Sequence, residues 1–182
     1  KQFIEEGRLF FVSRALDGAI PLLVQMTYVA ALSLGGNEDT TLTLWTFASG
    51  WAPDFLLFVY SRRWLPRHWR LALFLLFQTL PAMLYGAGSG HVEPRMAMFV
   101  LIAFIGLIEL KDNPRLGPIL LIGLGVGLYA GSKYTGLLFI AAAGVSVLIF
   151  SGRHWFRNGL IYGLVVLVVG GQWYGWNAYH TG

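Results

Sequence analysis

The stretch LGPILLIGLGVGLYAGSKYTG, residues 116–136, decides the reading of the chain. It is apolar over about the length of a membrane crossing, rich in glycine, and carries a single charge, Lys133. No other Asp, Glu, Lys or Arg lies between Arg115 and Arg153. A lysine ammonium is a strongly hydrated point charge on a flexible stem. Near the end of an oily helix it either snorkels to a membrane surface or meets an anion. Gly123, Gly127 and Gly131 recur at four-residue spacing, which puts them on one helix face and lets a second backbone approach closely. The string GVGLYA at 125–130 also fits the loose dinucleotide fingerprint G-x-G-x-x-A. That reading fails, because no strand precedes it and no ribose-binding acid follows.

The rest of the chain has the same character. Of 182 residues 56% are hydrophobic and 12% charged, with a mean hydropathy of +0.62. That is about half the charge share of a soluble domain. Charges are absent from Gly18–Asn37, Leu71–Val92 and Asn158–Gly182, runs long enough for bilayer crossings. The net charge of +4 comes from short basic clusters between apolar runs, a topology signal rather than a nucleic-acid surface. The lack of cysteine excludes disulfides, haem thiolates and cysteine zinc sites. No signal peptide is visible after Lys1, and the chain reads as the middle of something larger.

Taken in order, Lys1–Asp17 is amphipathic and reads as interfacial. Pro21–Leu34 is apolar but stops at Gly35-Gly36, which suits a juxtamembrane or re-entrant helix. Asn37-Glu38-Asp39 reads as an acidic loop, and Thr40–Ser61 as a span kinked at Pro53; Asp54 beside it is a candidate site by default, with a structural role favoured by its depth and by the proline. Four arginines fall in residues 62–70 among tryptophans, the mark of a cytoplasmic boundary. Leu71–Gly86, Pro94–Leu110, Leu116–Gly131, Tyr134–Phe150 and Leu160–Gln172 follow as spans, and residues 173–180 as an outer aromatic belt. The inner loops 62–70, 109–115 and 151–158 hold eight of the thirteen Lys and Arg, and outer connections after residue 36 hold only Arg95 and Lys133. The expectation is an all-α, multi-pass transmembrane helix bundle of about six full spans in the cell membrane. Residues 1–36 form its outer juxtamembrane segment and 37–182 the bundle.

Candidate site residues gather on the outer side. His91 and Glu93 have H-x-E spacing, without the cysteines of a deaminase-type zinc site. The pair leaves a divalent metal ion open as the one cofactor, and Glu93 before Pro94 also suits a helix N-terminus. Nucleophile triads and Walker loops are missing.

Four stretches resemble the membrane glycosyltransferases of the GT-C fold, in particular the lipid A aminoarabinose transferase and protein O-mannosyltransferase relatives. They are QFIEEGRLFFVSR, SGHVEPRMAMFVL, GLGVGLYAGSKYTGLL and QWYGWNAYHTG. In the second, Glu93 stands at the family's outer acidic position, where Asp is usual. In the third, Lys133 falls on the family's phosphate-contacting lysine, with Tyr134 beside it. In the fourth, Gln172 replaces a proline and Gly175 a common arginine, while Asn177 matches. The resemblance implies transfer of a sugar from a polyprenyl-phosphate donor to an acceptor hydroxyl, with Glu93 catalytic and Lys133 and Tyr134 on the donor phosphate. His91, Arg95 and Asn177 are further candidates. It also implies a main catalytic acid upstream of Lys1. Partners are the lipid-linked sugar and membrane lipids, with no nucleic acid. The alternative is a non-catalytic subunit packed against other membrane subunits.

Overall fold

A computed structural model describes residues 7, 20–34, 38–89 and 91–181. The amphipathic reading of Lys1–Asp17 and the glycine stop after Leu34 lie outside the described residues. Among those described, every regular element is helical: α1 Leu23–Ser33, α2 Glu38–Tyr60, α3 Arg67–Thr79, α4 Pro81–Gly88, α5 Glu93–Asp112, α6 Leu116–Ala130, α7 Gly136–Phe150 and α8 Trp155–Thr181. Single 3-10 turns, Ser61–Arg63 and Gly152–His154, sit before α3 and α8. The chain divides into two units, Thr27–Met98, and Lys1–Met26 with Phe99–Gly182.

In the unit Thr27–Met98, prolines set the element boundaries. Pro66 precedes α3, and Leu80 takes an extended backbone (φ −61°, ψ 125°) before Pro81 opens α4. A pre-proline residue is steered away from helical angles, and proline suits the first helical position. The single span expected over Leu71–Gly86 is therefore two helices bent by 61°. Glu38 and Asp39, expected in a loop, are the first residues of α2, and Asp39 lies in its first turn, where the helix dipole favours an acid. Pro53 and Asp54 are fully buried within α2. Gln78 of α3 donates its amide to Asp54 Oδ2, while Oδ1 is buried without a partner. Asp54 thus ties two helices through a neutral amide rather than a cation. An aromatic seam of Trp51, Phe58 and Phe74 runs beside it, and Arg70 lies 4.9 Å over the Phe58 ring.

In the other unit, α6 is central. Its expected glycine face is real: Cβ atoms added at Gly123 and Gly127 would each lie 2.8 Å from Cβ of Val165 and Val169 on α8. From the α8 side, a Cβ on Gly170 would stand 2.4 Å from the Gly127 carbonyl oxygen. A second contact joins α6 to α5, where a Cβ on Gly125 would lie 2.5 Å from the Phe99 carbonyl oxygen. The core between these helices holds Ala103, Leu110, Ile119, Ile122, Val126 and Val147. The chain returns from α6 into α7 so tightly that a Cβ on Gly136 would meet Ala130 Cα at 2.3 Å.

Among the described residues two helices, within Asp39–Arg63 and Gly152–Thr181, are long and apolar enough to cross a membrane, or three if the bent pair α3 and α4 counts as one. The other expected spans are not of that kind. Helices α6 and α7 have 15 residues each, against about 20 for a full crossing. Helix α5 has 20 residues but is charge-free only over 96–108. The aromatic belt expected beyond the last span is part of it, since α8 continues unbroken to Thr181.

The close contacts make a test. Gly170→Val and Gly136→Val each lower stability by about 2 kcal/mol through overpacking, read as a drop in thermal midpoint in detergent. Gly175→Ala, whose added Cβ meets nothing within 4 Å, leaves the midpoint unchanged.

Candidate functional site

The turn between α6 and α7 presents Lys133. Its backbone is closed on itself. Gly131 and Lys133 N–H groups donate to the Gly127 and Tyr129 carbonyls at 2.9 and 3.1 Å. Gly136, Leu137 and Leu138 donate to the carbonyls of Lys133, Tyr134 and Thr135 at 2.9, 3.0 and 3.2 Å. Buried Ser132 turns its hydroxyl back to the Leu128 carbonyl at 2.7 Å. The amides of residues 136–138, of the kind that make many helix N-termini into anion cradles, are thus engaged within this turn. What the turn offers outward is side chains.

Those side chains are Lys133, which is exposed, and a ring of hydroxyls. Tyr129 and Thr135 hydroxyls lie 3.5 Å apart. Asn177 of α8 donates from Nδ2 to the Tyr134 hydroxyl at 3.3 Å. One turn earlier, Tyr174 donates to the Ala130 carbonyl at 3.0 Å and sets its ring edge against Tyr134, centroids 5.7 Å apart. The N–H of Leu23, where α1 starts, donates to the Gly131 carbonyl at 3.0 Å. The turn is therefore braced by α8 and by the start of α1. Sequence reasoning named Lys133, Tyr134 and Asn177 but missed Tyr174 and Tyr129. The signal for Tyr174 was its three-residue spacing from Asn177, which places both on one helical face.

The other candidates belong to the unit Thr27–Met98. Glu93 opens α5 as expected, and His91 Nδ1 lies 3.5 Å from its Oε2. Both are about half exposed, 49% and 55%. The Tyr85 ring covers one side of His91 at 5.5 Å. Among the described residues no group of three His, Asp or Glu could hold a metal ion, so an ion here would have this pair alone.

Arg95 goes elsewhere. It is 4% exposed, and its guanidinium reaches the hydroxyls of α1. Nη1 donates to Thr27 Oγ1 at 3.0 Å, Nη2 donates to the Tyr28 hydroxyl, and Cζ sits 4.3 Å over the Tyr28 ring. Trp45 Nε1 also donates to Thr27 at 3.2 Å, and the Thr46 hydroxyl approaches that of Tyr28 at 3.4 Å. A cation met by neutral oxygens and a ring is a structural tie: it fastens the second half of α1 to the start of α5. Arg95→Met keeps the stem but removes the donors. It costs about 2 kcal/mol, as for hydrogen bonds to a charged group, and speeds proteolytic cutting within α1. Arg95→Lys, which cannot fork to two hydroxyls, recovers only part of the loss.

A family model described as dolichyl-phosphate-mannose-protein mannosyltransferase matches residues 19–171. Comparison with curated proteins finds no match, and comparison with solved structures finds none either.

Proposed function

Because this chain belongs to the dolichyl-phosphate-mannose-protein mannosyltransferase family, membrane glycosyltransferases of the GT-C fold, we propose that it transfers a sugar from a polyprenyl-phosphate donor to an acceptor hydroxyl on the outer face of the membrane. The observation that carries the reading is the exposed, braced Lys133 turn, in an interval otherwise free of charge from Leu116 to Gly152. In such a transfer the acceptor oxygen attacks the sugar's C1, the C1–O bond to phosphate breaks, and the bonding pair leaves on the phosphate. Charge grows on the leaving oxygen, where a preorganised cation lowers the barrier most. Lys133 supplies that cation, and Tyr134 a hydroxyl beside it. Glu93, exposed at the head of α5, is the carboxylate that takes the acceptor's proton or orients its hydroxyl.

The topology that suits this chemistry has six crossings: α2, the bent pair α3 and α4, then α5, α6, α7 and α8. It places the basic segments 62–70, 109–115 and 151–158 inside, and Lys133 and Glu93 outside. The excess of Lys and Arg in those three segments supports it.

Lys133→Ala in the full-length protein lowers transfer from a polyprenyl-phosphate sugar by about 100-fold or more and leaves the thermal midpoint in place. Transfer at the normal rate would remove Lys133 from the mechanism. Orientation is read separately: a cysteine replacing Asn37 reacts with an impermeant maleimide added outside, and one replacing His68 does not. The reverse labelling pattern would invert the topology.

A further inference from the structure

We propose that Asn177 is a positioning residue for anion recognition at the α6–α7 turn. By donating to the hydroxyl oxygen of Tyr134, it aims the tyrosine's own proton at the phosphate held by Lys133. The inference rests on the reading of Lys133 and Tyr134 given above and adds the residue that orients the tyrosine hydroxyl.

The argument begins with the phenol. A tyrosine hydroxyl has one proton to give and lone pairs to receive. Asn177 Nδ2 donates to that oxygen at 3.3 Å, so the phenolic proton is directed to an acceptor other than this amide nitrogen. Asn177 is 6% exposed and lies within α8, near its C-terminal end, so the donor is held by a helix rather than by a loop. The Tyr134 ring is 43% exposed, adjacent in the chain to exposed Lys133. Its orientation is fixed from the same helix: Tyr174 packs edge-on against the ring and anchors its own hydroxyl on the Ala130 carbonyl.

The need for such a donor follows from the turn itself. The N–H groups of residues 131–133 and 136–138 are engaged with carbonyls of the same segment. A phosphate takes several hydrogen bonds, and a lysine meets it as a point charge. A hydroxyl set in advance adds direction. It also spares the ordering cost that a freely turning phenol would incur on binding.

The experiment uses the full-length protein in phosphatidylcholine nanodiscs, with a long-chain polyprenyl phosphate as the titrated probe. Tyr134→Phe weakens binding about tenfold, the loss of one hydrogen bond to a charged group. Asn177→Ala weakens it about threefold alone and adds nothing in the Tyr134→Phe background. Asn177→Asp keeps the size but offers an acceptor, draws the phenolic proton toward α8, and binds more weakly than Asn177→Ala. Equal losses from Asn177→Ala in both backgrounds, or wild-type affinity in Asn177→Asp, overturn the inference alone, provided that Lys133→Ala has lost affinity. Unchanged affinity in Lys133→Ala overturns the reading of Lys133 and this inference with it.

Discussion

The contact of α6 with α8, backbone against backbone, is the constraint on which the unit holding Lys133 depends. Apolar side chains gain nothing by leaving lipid for one another, so helices in a bilayer are held by close packing and hydrogen bonds. Here the Gly127 carbonyl occupies the place where a side chain on Gly170 would begin. That approach fixes the register of the two helices. The register brings Tyr174 to the Ala130 carbonyl and Asn177 to Tyr134, one turn further on. The glycines of α6 thus set the position of a lysine that none of them touches.

Polar side chains buried in the unit Thr27–Met98 follow a different rule. Asp54 meets a glutamine amide, and Arg95 meets two hydroxyls and an aromatic face. Neither is set in an acid–base pair by these contacts. Both tie helices that are otherwise joined by apolar and aromatic surface. Arg95, which the sequence alone offers as a site candidate, is used to hold α1. Glu93, two residues before it, stays at the surface beside His91.

Much of this was legible from residue spacing, and the failures have physical causes. The glycine repeat announced the α6 face because a four-residue period in a helix leaves one geometric outcome. The motif around Lys133 and the acidic residue before Pro94 carried the family, which the match over residues 19–171 bears out. The break at Leu80 was missed and Leu71–Gly86 read as one span, because the extended backbone of a pre-proline residue is a local choice that apolar content does not reveal. Arg95 stood as a further site candidate because the partners that bury it, Thr27 and Tyr28, are 68 and 67 positions away in the chain. The tryptophan-rich end of α8 reads as a membrane boundary because aromatic residues mark membrane surfaces, a reading that left its polar contacts unnoticed. In the structure two of that segment's polar side chains, Tyr174 and Asn177, face the turn.

The shortness of α6 and α7 has a consequence for the surrounding lipid. Fifteen residues make a helix about 22 Å long, while the hydrocarbon layer is about 30 Å thick. In the proposed topology the bilayer beside this hairpin thins, or the turn stays below the headgroups, at a modest cost for each ångström of mismatch. Either way Lys133 lies nearer the acyl chains than a lysine on a full-length span would. A bulk-phase anion meets it poorly there. An anion that arrives on its own hydrocarbon anchor, already at that depth, meets it well. In that topology bilayer thickness becomes a variable of access to Lys133, set by the acyl chain length of the lipids around it.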